Sequence, residues 1–195
     1  MGLSPLEQGF VGLSFSGDGE ILAATTFEEL AIWSTGSLER LELETSSDWG
    51  WTRLIGDSLY VSRKDASILR VDPLSSLPIG NPLIGHPGIA GNYALDEANG
   101  RLASLGGTVR VWDLETGRQL GRELPSFPIN MEFTDDGTVL SVSTSDHVSL
   151  WNFDTDTRSG IACEIAGRNL TADEWDQFGP RTLERRATCP QFPLP

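Results

Sequence analysis

The chain has 195 residues, of which 38% are hydrophobic and 22% charged, and a formal net charge of −14. Such a composition can bury a normal core and excludes wholesale disorder. An acidic chain repels phosphate backbones, and the one dense basic stretch, Arg181, Arg185 and Arg186, is broken by Glu184. No nucleic-acid partner is expected. No apolar run approaches the ~18 residues a membrane span needs, so no membrane partner is expected either. The N-terminus MGLSPLEQGF has neither a basic nor an apolar leader region, which makes a cytoplasmic location with free Cys163 and Cys189 thiols the default expectation.

Four repeats follow one another, expected at 8–45, 46–84, 85–127 and 128–166. In the first, Val11, Leu13 and Phe15 alternate as an inner strand buried on one face. Gly17-Asp18-Gly19 turns the chain. Ile21–Thr25, Leu30–Trp33 and Leu38–Leu43 complete four strands. In the second, Trp49 and Trp51 fall two apart on the inner strand, Asp57 marks the turn, and Leu59–Ser62 and Ile68–Val71 follow. In the third, Gly85-His86 precedes Tyr93 and Leu95, Asn99-Gly100 turns, and Leu102–Ser104 and Val109–Trp112 complete the inner sheet. In the fourth, Ile129, Met131 and Phe133 alternate, Asp135-Asp136-Gly137 turns, and Val139–Ser143 and Val148–Trp151 follow. The strand-end positions Trp33, Val71, Trp112 and Trp151 are 38, 41 and 39 residues apart. From Gly19 to Trp33 and from Gly137 to Trp151 the count is fourteen in both cases. A strand–turn unit repeating near every forty residues predicts an all-β propeller array.

Beyond the repeats, Ile161–Ile165 is expected as the last outer strand. Residues 167–195 form a separate tail. Within it GRNLTADEWDQFGP carries one short helix: Thr171 and Glu174 make a capping box, Leu170 and Trp175 occupy staple positions, and Gly179-Pro180 stops it. A helix of about two turns is unstable alone, so Trp175 and Phe178 are expected to pack, with the last blade as their expected seat.

These features resemble the WD-repeat β-propeller family over about residues 8–165, with Trp112-Asp113 as the family's dipeptide. The resemblance implies a structural hydrogen-bond set of His, Ser or Thr, Asp and Trp in each copy. Here the third copy offers His86, Ser104 and Trp112 with Gly107 in place of Asp. The fourth offers Ser143, Asp146 and Trp151 without His, and the first Thr25, Glu28 and Trp33. The tail, through Cys163, Gly167–Thr171, Glu174-Trp175 and Thr188-Cys189-Pro190, resembles the ending of WD-repeat regions in large bacterial multidomain proteins. There the propeller follows a nucleotide-binding switch module of the STAND type or a protein kinase domain. The same resemblance makes a paired role for Cys163 and Cys189 plausible, against the thiols that the compartment favours.

No catalytic constellation is visible, and no cofactor or metal is expected. His86 reads as the structural blade histidine and His147 as exposed. Asp135-Asp136 and Asp154/Asp156 lack the spacing of a calcium loop. The expected function is a non-catalytic protein-interaction or sensing module, with a propeller enzyme or a structural remnant as alternatives. Partner-binding candidates on the loop face are Phe27, Glu28, Asp48, Trp49, Phe127 and Asp146, the alternative for Trp49 being core packing. Four blades are expected to leave two apolar sheet faces wet, to be covered by upstream blades of the same protein or by a second chain in a homodimer.

Overall fold

A computed structural model describes residues 12–25, 30–41, 48–124 and 129–195. Residues 1–150 and 151–195 are two compact units.

The first unit is built of antiparallel hairpins in chain order. Sheet one runs β1 (Gly12–Phe15), β2 (Ile21–Thr25), β3 (Leu30–Ser34) and β4 (Arg40–Leu41). Sheet two is β5 (Trp49–Ile55), β6 (Ser58–Arg63) and β7 (Ile68–Val71), with Pro78 and Leu83 bridging to the outer edge of β7. Sheet three is β8 (Asn92–Asp96), β9 (Arg101–Leu105), β10 (Val109–Asp113) and β11 (Arg118–Gln119). Sheet four is β12 (Asn130–Phe133), β13 (Val139–Ser143) and β14 (Val148–Asn152). The first strand of each sheet lies beside the first strand of the next: β1 by β5, β5 by β8, β8 by β12.

Period-two alternation decides which residues meet. Ala23 and Ile32, paired across β2 and β3, pack with Leu54, Leu59, Val61 and Val71 between sheets one and two. Leu95, Leu102 and Trp112 stand in register across sheet three and, with Tyr93, meet Tyr60 and Ile68 of sheet two. Sheet two thus has core on both faces, and all of β6 except Arg63 is buried.

The turns repeat one device. Asp18 accepts from the Glu20 amide at 2.9 Å and Asp136 from the Thr138 amide at 3.0 Å, each also held by a hydroxyl, Ser16 or Thr134. These side chains cap backbone donors that the hairpin leaves unpaired. Gly137 has φ +67, and a Cβ there would fall within 2.3 Å of Asp96 Oδ2. Only glycine serves at that position. Neighbouring turns are also stitched together. Gly17 N donates to Asp57 Oδ1 and to Gly56 O, both at 3.1 Å. Asn99 Nδ2 donates to Asp136 O, and Arg101 Nη2 to Gly137 O, again at 3.1 Å.

The second unit corrects two expectations. Residues 161–165, expected as a strand, lie in helix α1 (Thr155–Ala166). Asp154 caps its N-terminus, accepting from Thr157 N at 2.7 Å, and Gly167 ends it at φ 66. Asp154 is therefore helix chemistry. Cys163 and Cys189, expected as thiols, form a disulfide with Cα atoms 5.4 Å apart.

Helix α2 (Ala172–Phe178) has the capping box that Thr171 and Glu174 predict: Glu174 N donates to Thr171 Oγ1 and Thr171 N to Glu174 Oε2. Trp175 is buried and its Nε1 reaches Leu183 O at 3.4 Å, so it has a seat within this unit. Phe178, expected to pack, is 70% exposed, and Trp175 is the buried residue of this helix. The backbone around the disulfide is organised by Asn169, which is fully buried. Its Nδ2 donates to the carbonyls of Cys189, Phe192 and Pro193, and its Oδ1 accepts from Cys189 N at 2.7 Å.

Candidate functional site

The third repeat forms the hydrogen-bond set its sequence offers. Trp112 Nε1 donates to Ser104 Oγ at 2.7 Å, and His86 Nε2 lies 2.7 Å from the same oxygen. The imidazole stands edge-on to the Trp112 ring at 5.6 Å between centroids. Gly107 supplies no carboxylate, and His86 Nδ1 is buried with no side-chain partner. Burial, then the Arg110 charge, lowers the His86 pKa to about 4, so the ring is neutral at pH 7. The imidazole is thus neutral and enclosed against the Trp112 indole. Asp113 caps the next turn, accepting from Thr116 N at 2.7 Å.

The fourth repeat differs. Ser143 Oγ donates to Asn130 O, and Asp146 accepts from Thr144 Oγ1 and contacts His147 Nδ1 at 3.0 Å. The Trp151 Nε1 is buried without a hydrogen-bond partner. Trp33 is buried in the first sheet; Glu28 lies outside the described residues.

Of the loop candidates, Phe27, Glu28 and Phe127 also lie outside the described residues. Asp48 is bound to Arg63, at 2.7 Å from Nε and 2.6 Å from Nη2. Trp49 is half-buried against the core between sheets one and two. A register shift between Trp49 and Thr52 breaks the alternation, and Trp51 is exposed. Asp146 sits on the exposed β13–β14 turn. Among the described residues no three metal-ligating side chains come together, and no helix is long and apolar enough to cross a membrane.

Apolar side chains stand exposed on the first and last sheets. Leu13 and Phe15 alternate on the face of β1 turned away from sheet two, and are 64% and 60% exposed. On β14, Val148 and Leu150 share one face and are 64% and 71% exposed, and Ile129 stands exposed before β12. The sequence expects Leu13 and Phe15 to be buried; both are exposed, although Ala24, Ala31 and Trp33 on the same face of sheet one are buried.

No protein-family model matches the sequence, and no curated protein does. The fold matches solved structures. A chain of the Mitotic Checkpoint Complex superimposes with TM-score 0.60 at 19% identity, over 72% of this chain and 45% of that one. The computationally designed Ika4 protein gives 0.60 at 19% identity, over 78% of this chain and 96% of that one. The designed Ika8 protein gives 0.59 at 19%, over 77% and 48%. These likenesses define the class of fold, a WD-like β-propeller. The chain spans less than half the length of the checkpoint-complex chain it matches.

Proposed function

We propose that this chain is a non-catalytic protein-interaction module, forming four blades of a propeller whose two end faces are its association surface. The observation that carries this is the exposure of Leu13 and Phe15 at one end of the stack and Val148 and Leu150 at the other. A propeller sheet is normally sandwiched between neighbours, and exposed apolar patches of this kind mark interfaces. The occupant proposed for both faces is a second copy of the chain, giving a two-fold ring of eight sheets. The match to about half of two longer chains supports this reading. Blades of the same protein upstream would cover the same faces.

The tail motif supports a place behind a STAND-type or kinase signalling module in a bacterial protein. Asp48, Trp49 and Asp146, with Phe27, Glu28 and Phe127, would serve as the partner-reading loops. The Cys163–Cys189 disulfide weighs against the cytoplasmic location expected from the N-terminus.

Light scattering on the purified chain tests the proposal. The expected mass is twice that of one chain, falling to one chain in Phe15→Glu and in Leu150→Glu. A monomeric wild type that unfolds cooperatively and binds no hydrophobic dye would overturn it.

A further inference from the structure

We propose that the cavity between sheets two and three is a binding site for a cation on an aliphatic stem, an alkylammonium or alkylguanidinium. The cavity has a volume of about 330 Å³. It opens at the end of the sheets that carries the β5–β6, β8–β9 and β10–β11 turns, opposite the end where Asp48 meets Arg63 and Lys64. It is distinct from the apolar end faces, so its fate and theirs are separately measurable.

Three features fit that ligand. Ile55, Leu95 and Leu114 give apolar walls that a methylene stem can cover. Asp57, Glu97 and Glu115 line the same space against one guanidinium, Arg70. Arg70 is itself engaged, its Nε donating to Ser58 Oγ at 2.9 Å. Asp57 already accepts from Gly17 N through Oδ1. The excess of carboxylates, in a chain of net charge −14, selects a positive guest.

The third feature is Tyr60. Its side chain is 0% exposed and lines the cavity, yet its hydroxyl has no hydrogen-bond partner. The hydroxyl feels the charges of Arg70 and Glu97, both lining residues. Burial raises the phenol to about 12, and it is neutral at physiological pH. A buried hydroxyl left unpaired is costly. An N–H of the guest would satisfy it. Tyr93, on the facing sheet, shows the contrast: its hydroxyl is tied to Ser62 and to Ala90 O.

The position in the fold agrees. The turns of sheets one and two are hydrogen-bonded to each other, as are those of three and four. Between sheets two and three the cavity occupies the corresponding place. Gly56, at φ +55, lies at its edge, and a Cβ there would approach Leu95 Cδ2 to 3.2 Å and Glu97 Oε1 to 3.8 Å. Glycine keeps that edge open.

Titration of the whole chain by heteronuclear NMR, with butylguanidinium and with the anion pentanoate, which carries the same butyl stem, tests the site. Butylguanidinium should shift resonances of β6, β7 and the 97–100 turn in a saturable way, and pentanoate should not. Glu97→Gln with Glu115→Gln should weaken binding about tenfold or more. Tyr60→Phe should weaken it about fivefold and unfold no more readily than wild type, since no bond is lost in the free protein. Acetyl-Gly-Arg-Gly-amide separates the sources. Binding as tight as that of butylguanidinium assigns the site to a basic side chain of a partner polypeptide, and its failure beside a binding butylguanidinium assigns it to a free small cation. Equal response to pentanoate, no saturation by butylguanidinium, or unchanged affinity in the double carboxylate variant would overturn the proposal.

Discussion

Trp112 donates its indole N–H to Ser104 at 2.7 Å, and Ser104 is completely buried. The same hydroxyl faces His86. Ser104→Ala removes the shared oxygen and leaves two enclosed ring nitrogens unpaired. The expected cost is about 2–3 kcal/mol, read from the urea midpoint at unchanged m-value.

His86 should give the fold a pH dependence. Its pKa is lowered to about 4 in the folded chain, from an unfolded value of 6.5. Between those values the unfolded chain binds the extra proton, so stability is complete above pH 6.5 and is lost as pH falls toward 4. The loss is roughly 3 kcal/mol by linkage. Thermal melts at pH 7.5 and 5 should differ by more in wild type than in His86→Gln. Equal differences would remove His86 as the cause.

Reduction should loosen the C-terminal unit. The disulfide closes a sequence separation of 26 residues, and a loop of that size contributes about 3–4 kcal/mol by the chain-entropy estimate. Reductant, or Cys163→Ala with Cys189→Ala, should expose Arg181, Arg185 and Arg186 to trypsin first, with the sheets resisting longer. Asn169→Ala should imitate this with the disulfide intact, because it strands the buried amide of Cys189.

Trp175→Ala should cost about 3 kcal/mol in the stability of the same unit, and Thr171→Ala about 1 kcal/mol through the lost cap. Proteolysis kinetics of residues 151–195 would resolve the two. If Trp175→Ala is cut no faster than wild type, the indole is not a core residue of the tail.

Much of the strand pattern was legible because period-two alternation between Asx turns is a local signal. Ile21–Thr25, Ile68–Val71 and Val139–Ser143 are read with the bounds observed. The reading failed at 161–165, where two isoleucines four apart suit a helix as well as a strand. Asp154 and Gly167 were the deciding caps. The Cys163–Cys189 pairing has no spacing that announces it. The cavity at Tyr60 was hidden for a different reason: its walls come from turns and strand ends of two repeats, and neither repeat contains it alone.

The sheets pack in series, and β6 has a covered neighbour on each side. Its backbone amides are therefore the last that water should reach. Opening confined to β1 or to β14, at the two ends of the stack, would leave Leu59, Tyr60 and Val61 enclosed. In deuterium exchange the slowest protons should belong to β6, with protection falling off in steps toward both ends. A partner seated on an end face would raise protection there first and reach β6 only through the sheets between.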